Sequence, residues 1–542
     1  MKKILLWPLL FASLTLASCG GGISSSPLPE SSSGTPVSSS EASSNPASSG
    51  YVMEEATNEG GSAFYEVFVS SFCDSNGDGI GDLNGITSKL DYLESLGVSY
   101  LWLTPVHPSP SYHKYDVKDY YAIDSSFGTL ADFSTLVSAA KTHHIGIVMD
   151  MVFNHASSKS TWFADFVKDL SVKNTASDSC ANDFVWSREA QDGYHYNNDL
   201  GAYVESRFSE TMPEFNLDST HVRAEMAKIM NFWLDKGVAG FRYDAVTYYY
   251  YQNVTKNVEF MKYLVSSAQA HKAGTYQVGE AWVNDQTTLN SYCASGMHCF
   301  NFPTSEGNAL GSVGYLEGYA DGPKRFGTNL PSVQSGISAA GGIEPAFFVT
   351  NHDQDRWGSY FSGHGSAAEY ERKVTVSAYL LTPGTPFMYY GEEIQMRGIR
   401  GSEQTDAARR QAMLWGEGEA KCAEPEHFTY ANQVTVGVKE ALADGWSMLN
   451  HYRKVLSVRN KFKDVFRAGT YTYADLGNSE ICAFRIALAD KTYVLIHNVG
   501  KSSKSLTLDR GTILADINTS QTASTLTSGA LTIQGYSTVL IG

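Results

Sequence analysis

"GFRYDAV", residues 240–246, places an arginine and an aspartate two positions apart in a segment otherwise suited to burial. Residues two apart on a strand share a face, so Arg242 and Asp244 stand side by side if the segment is extended. Such a pair either fastens a strand as a buried ion pair or belongs to a reactive site, and the stretch alone does not separate the two. Runs of the same kind recur along the chain: FYEVFV (64–69), YLWLTP (100–105), GIVMDMV (146–152), TYQVGEAW (275–282), CFNFP (299–303), FFVTNHD (347–353) and PFMYYGEE (386–393). Between them lie amphipathic stretches such as ITSKLDYLESLG and VRAEMAKIMNFWLDKG, with apolar residues three and four apart. Eight strands alternating with helices predict an α/β fold, the (β/α)8 TIM barrel.

The spacing is uneven. From the third run to the fourth the chain passes from residue 146 to residue 240, against roughly 30 residues per unit in a minimal barrel. The excess, residues 155–215, is rich in glycine, asparagine and serine and predicts a small inserted subdomain beside the barrel mouth. The barrel then comprises residues 60–154 and 216–460. After Lys461, strand patterns alternate with turns (TYTYADLGN, KTYVLIHNVG, TSGALTIQGYSTVLIG), which predicts an antiparallel β-sandwich over 461–542.

With 542 residues the chain exceeds one ordinary core. Its net charge of −17 argues against a nucleic-acid partner, which calls for a basic face. No GxGxxG follows a strand, so nothing points to a nucleotide, flavin or nicotinamide. Thirty-two tyrosines and nine tryptophans suit sugar stacking, although most aromatics in any protein are core. At the start, Lys2 and Lys3 precede an apolar run, Ile4 to Ala17. That pattern reads as a secretory signal over 1–19, and the run is too short to span a membrane. "LASC" resembles the lipobox of bacterial lipoproteins, which makes Cys19 the lipidated anchor of an exported protein held at the bacterial cell surface. The serine-rich residues 20–59 then form a flexible tether. Six further cysteines, at 73, 180, 293, 299, 422 and 482, permit disulfides in an exported chain, with Cys293 and Cys299 nearest in sequence. No CxxC pair suggests zinc.

In a barrel, chemistry gathers at the carboxy ends of the strands. Here those ends carry Asn154 and His155, Arg242 and Asp244, Glu280, and His352 and Asp353. Three carboxylates and two histidines are thus expected at one mouth.

DMVFNH (150–155), GFRYDAV (240–246), GEAW (279–282) and FVTNHD (348–353) resemble, in order, the four signature segments of the α-amylase family, glycoside hydrolase family 13. MPEFN (212–216) is similar to its fifth segment and YHKYDVKDY to its first active-site loop. The resemblance implies a retaining glycosidase that cleaves α-1,4 bonds of starch, maltodextrin and maltooligosaccharides. Asp244 matches the nucleophile, Glu280 the acid/base and Asp353 the third carboxylate, which holds the ring hydroxyls. Arg242 keeps Asp244 ionised, His155 and His352 donate to the sugar, and Tyr115 is its stacking platform. Asp116 matches the carboxylate with which exo-acting relatives grip a non-reducing end, together with an arginine. Arg410 is near that arginine's place, but the spacing is shifted. Ala245, where α-1,6-specific relatives carry valine, favours α-1,4 bonds. A neopullulanase or cyclomaltodextrinase, an exo-acting α-glucosidase, and an inactive glucan-binding protein are the alternatives.

DSNGDGIGD (74–82) sets Asp74, Asn76, Asp78 and Asp82 at alternate positions, with the carbonyl of Ile80 as a further oxygen. This is the oxygen-rich ladder that Ca2+ uses, although Gly85 at the twelfth position rules out an EF-hand. It resembles the calcium loop after the first strand in one branch of the family. The Lys-His pair with which many members hold another calcium is replaced here by Thr247 and Tyr248. A monomer is expected, touching a membrane only through the lipid.

Overall fold

A computed structural model describes residues 58–176, 179–305, 322–360, 368–401, 406–509 and 511–542. The described residues belong to one compact unit. The expected signal segment, Cys19 and the expected tether up to residue 57 lie outside the described residues.

Seven parallel strands make one sheet: Phe64–Val67, Tyr100–Leu103, Gly146–Met151, Gly240–Tyr243, Tyr276–Gly279 and His298–Cys299 in sequence, with Phe387–Tyr389 beside the first. The remaining barrel position is occupied by single parallel bridges, Phe300 to Ala346 and Phe348 to Phe387. These close the sheet on itself, so the (β/α)8 barrel holds. Two strands are shorter than the sequence pattern suggests. The sixth stops at Cys299, and Phe302–Thr304 forms a 3-10 turn with Pro303 inside it. Pro345 and Pro386 flank the seventh and eighth positions. Proline cannot donate to a ladder, so pairing there collapses to isolated bridges.

Strand alternation then sorts side chains into two sets. One set packs inside the barrel: Phe64, Trp102, Val148, Tyr276, Val278, Phe300, Phe348 and Phe387. The Phe64 ring stacks on Tyr100 at 4.4 Å and on Phe387 at 4.3 Å. Gly146 makes room for this floor, since a Cβ there would stand 2.7 Å from the Tyr100 ring. Each fully buried aromatic contributes roughly 1.5–3 kcal/mol, and Phe64→Ala would cost about 3–5 kcal/mol. The alternate residues, including Tyr65, Leu101, Met149, Phe241 and Tyr243, face the surrounding helices.

The same alternation carries polar groups inward one step above the aromatic floor. Glu66 follows Phe64, Asp150 follows Val148, and Arg242 pairs in register with Asp150 on one side and Val278 on the other. The helix Thr220–Asp235, capped by Ser219, packs Val222, Met226, Ile229, Met230, Trp233 and Leu234 against the barrel from outside.

Between the third and fourth strands lie a helix, Thr161–Ser171, and a three-stranded antiparallel sheet of Trp186–Ser187, Tyr194–Asn197 and Ala202–Glu205, with the last in the centre. At the carboxy terminus a five-stranded antiparallel sheet (Thr470–Tyr473, Ile481–Leu488, Lys491–Asn498, Ser537–Ile541, Ile513–Ile517) faces a three-stranded one (Lys504–Thr507, Ala530–Ile533, Thr525–Thr527). Along Ile481–Leu488, Ile481 and Ala483 join the core between those sheets, whereas Cys482 and Phe484 join the main core. The six described cysteines carry free thiols, so the expected Cys293–Cys299 bridge is not formed. Both side chains are buried, and the Cys293 thiol beside Cys299 helps push the latter's pKa upward.

Candidate active site

The fourth strand delivers Arg242 to the barrel mouth fully buried. Its Nη1 donates to Asp150 Oδ1 and Oδ2 at 2.8 and 2.9 Å and to Asp244 Oδ1 at 2.8 Å. Its Nη2 lies 2.8 Å from Glu280 Oε1, an ion contact without hydrogen-bond alignment. One guanidinium therefore touches three carboxylates. Asp150 is further held by Trp102 Nε1 and the Tyr115 hydroxyl, each at 3.1 Å.

Asp244 ends the strand, and the chain turns sharply after it. Ala245 has φ +48°, left-handed backbone that a side chain rarely adopts. That turn aims the Ala245 N–H at Glu280 Oε2, 3.0 Å away. Burial pushes Glu280 up to about 7, against the pull of Arg242 and with the repulsion of Asp244. Burial likewise lifts Asp244 to about 6, with Arg242 opposing and Asp150 adding to the rise. At neutral pH this pair favours an ionised Asp244 beside a Glu280 that still holds its proton much of the time.

Across the mouth, His352 is buried, its Nδ1 on Glu66 Oε1 and its Nε2 2.7 Å from the Tyr115 hydroxyl and 3.2 Å from Asp353 Oδ2. Burial disfavours its charge, but Asp353 and Glu66 outweigh that and push it up to about 10. Burial works against the Asp353 charge as well, yet His352 and Arg410 hold its carboxyl well below the usual range. Arg410 ion-pairs with Asp353 Oδ1, donates through Nε to the His352 carbonyl at 3.0 Å and through Nη1 to the Tyr112 hydroxyl at 3.0 Å. The Tyr115 ring stacks on His352, centroids 5.5 Å apart and planes within 9°.

These groups line a cleft of about 660 Å³. Tyr115, His155, Asp244, Glu280 and Asp353 face it, as the sequence suggested; Arg242 and His352 stand behind them. Asp116 does not line the cleft: its carboxylate accepts from the Ser109 hydroxyl at 2.6 Å and from Ser111. Sequence reasoning passed over Asp150 and Glu66, although both share the inward face of their strands with Val148 and Phe64. It also passed over His113, Phe208, Met212 and Trp282, which reach the cleft from separate segments. Trp282 is 44% exposed and stacked on Phe302 at 4.7 Å, and Tyr248 meets Phe208 at 4.6 Å.

The loop 74–82 is organised by its own backbone. Asp74 accepts from the N–H groups of Asn76, Gly77 and Gly79, Asp78 from that of Ile80, and Asp82 from those of Ser75 and Gly85. Among the described residues, one oxygen from each of its three carboxylates does not fall within 4.8 Å of the other two.

Residues 66–469 match the alpha-amylase catalytic domain. The chain is 33% identical to "Alpha-amylase 3" of Dictyoglomus thermophilum over 493 residues, 88% of this chain and 92% of that protein. It is 28% identical to the "Glucan 1,6-alpha-glucosidase" of Streptococcus pneumoniae over 507 residues, 82% of this chain and 92% of that one. Among solved structures, Eubacterium rectale Amy13B superposes with a TM-score of 0.82 at 33% identity, covering 90% of this chain and 96% of that one. The alpha-amylase from H. orenii gives 0.75 at 31% identity, covering 89% and 99%.

Proposed function

The chain belongs to the α-amylase family, hence to the glycoside hydrolases, and from that premise we propose that it cleaves α-1,4-glucosidic bonds inside starch and maltooligosaccharides with retention of configuration. The observation that carries this reading is the single buried guanidinium of Arg242 in contact with both Asp244 and Glu280 at 2.8 Å. Two carboxyls tied to one side chain fit the short separation, about 5–5.5 Å, of retaining enzymes rather than the wider gap of inverting ones. Glu280 gives its proton to the glycosidic oxygen while Asp244 attacks the anomeric carbon, forming a glycosyl-enzyme. The resulting Glu280 carboxylate then takes a proton from water, which attacks the same carbon and frees Asp244. Asp353, kept ionised by His352 and Arg410, accepts from ring hydroxyls, and Tyr115 offers its face to the sugar.

The α-1,4 preference is supported by Ala245, whose small side chain leaves the turn open, and by the aromatic surfaces of Tyr248, Phe208 and Trp282 along the cleft. Internal cleavage is supported by Asp116, whose carboxylate is engaged by two serines. The exo-acting alternative has an observation of its own: Arg410 lines the cleft beside Asp353, and a relative carries the name glucan 1,6-alpha-glucosidase. Product sizes at early times on amylose and pullulan separate the two, with Asp244→Asn as the blank. Mixed oligosaccharides with a rapid fall in polymer length are expected. Glucose released from long polymer would transfer the assignment to the exo reading, and no difference from the blank would end the enzymatic one.

Calcium binding by Asp74, Asn76, Asp78, Ile80 and Asp82 rests on the alternating oxygens of that loop, with a structural role. Its expected sign is a melting temperature lowered by chelator, restored by calcium and insensitive to both in Asp78→Ala. Anchoring through Cys19 predicts palmitate labelling that Cys19→Ala abolishes, and a monomer predicts a single sedimenting species with the mass of one chain.

A further inference from the structure

We propose that Cys180, Asp183 and His221 form a binding site for one zinc-class divalent cation, at the seam between the inserted segment and the barrel helix Thr220–Asp235. One ligand atom of each residue lies within 4.8 Å of the other two, and among the described residues this is the only such His/Cys/Asp/Glu group. The three come from two separate places in the chain: Cys180 and Asp183 from the loop after helix Thr161–Ser171, His221 from the first turn of Thr220–Asp235.

The surroundings suit a ligand set. The Asp183 side chain is fully buried, and its Oδ2 accepts from Trp162 Nε1 at 2.7 Å while Oδ1 accepts from Ser219 Oγ at 3.2 Å. Donors of that kind orient a metal-binding carboxylate in other proteins. His221 Nδ1 lies 2.7 Å from the same Oδ2. Cys180 is half-buried, and it opens with His221, Trp162, Asp165 and Glu225 onto a depression of about 290 Å³. That depression admits the ion and supplies either the Asp165 carboxylate or a water as fourth ligand.

Thiolate, imidazole and carboxylate together select a borderline-soft cation, zinc first; calcium and magnesium take oxygen ligands alone. Zinc bonds of about 2.0–2.1 Å in a tetrahedron set nitrogen and oxygen ligands about 3.3 Å apart. The Asp183–His221 contact therefore opens by about 0.6 Å on binding, a rotamer-scale adjustment. The competing reading, a hydrogen-bonded cluster that closes the seam without metal, engages the sulfur too: the Cys180 thiol bonds the Asp183 carboxylate, and burial beside that carboxylate pushes the thiol up to about 12. A cation has to displace that proton, and the titration below separates the two readings. Bound there, the cation would pin to the barrel the segment that brings Phe208 and Met212 to the cleft wall.

Cobalt(II) is the probe, titrated into the reduced full chain. One equivalent should produce the thiolate-to-cobalt charge-transfer band and the strong visible bands of tetrahedral cobalt, both erased by one equivalent of zinc. Cys180→Ser should abolish the charge-transfer band, and His221→Gln should weaken binding by at least about 10–100-fold, the loss that outer-sphere partners alone produce. The two variants probe opposite sides of the seam, and far-ultraviolet circular dichroism confirms folding before either is read. No saturable band, or a band that survives in folded Cys180→Ser, overturns the proposal.

Discussion

Replacing Arg242 by glutamine removes the one cation shared by Asp150, Asp244 and Glu280, and the structure sets the size of the result. With Nη1 at 2.8 Å from Asp244 Oδ1, the two charge centres stand about 4 Å apart, and at an effective dielectric of 20 their attraction is about 4 kcal/mol. Divided by 1.36 kcal/mol per pK unit, that is about 3 units of upward displacement for Asp244. Part of it is offset, because buried Asp150 also loses its partner, takes up a proton and stops repelling Asp244; a net rise of about 2–3 units remains. Since attack requires ionised Asp244, the acid limb of the kcat/KM profile should move from about 6 upward by that amount. At pH 7 ionisation alone then costs about tenfold or more. Arg242→Lys keeps a charge without the fork, so its rate should fall while its acid limb stays within about one unit of the original. The assay is initial-rate hydrolysis of a chromogenic maltooligosaccharide from pH 4 to 10, below each variant's melting temperature. An Arg242→Gln profile with the original acid limb would refute the electrostatic role and leave Arg242 a strand fastener.

Other outcomes follow from the same geometry. Asp353→Asn should lower kcat by about 10²–10³-fold, the usual loss of a positioned transition-state contact, and single-turnover kinetics should place the loss in the chemical step. His352, raised to about 10 by Asp353 and Glu66, stabilises the fold fully below its ordinary pKa of 6.5. That stability drains as pH rises through 10, so the melting temperature should fall over this window and His352→Gln should flatten the slope. Ala245→Val puts a β-branched residue at φ +48° and should lower stability in a denaturant melt, since the branch adds crowding to a left-handed backbone that alanine already strains. The same variant should raise the ratio of α-1,6 to α-1,4 cleavage, measured on isomaltotriose and maltotriose; an unchanged ratio would detach bond preference from this turn.

The fold was legible because period-2 and period-3.6 patterns are local, and each strand–helix unit announces itself within some thirty residues. Asp244, Glu280 and Asp353 could be singled out for the same reason: each ends a strand, and strand ends meet at one barrel mouth. Strand lengths were less legible. Whether Ala346 and Phe348 pair fully or by single bridges depends on neighbouring strands set by prolines far away in sequence, Pro303 and Pro386. The local pattern also hid Asp150 and Glu66 in plain view, since an acid inside an apolar run declares its burial but not its partner. Partnership belongs to the closed barrel: only there does Arg242 reach three carboxylates, Arg410 reach Asp353, and serines 109 and 111 take Asp116 out of the cleft. The group of Cys180, Asp183 and His221 makes the same point without any motif, because 41 residues of chain separate its ends and only folding sets them within 4.8 Å. Sequence determined which chemistry the strand ends could carry; tertiary structure decided which charges share a dielectric and a distance, and those two quantities fix their pKa values and their roles.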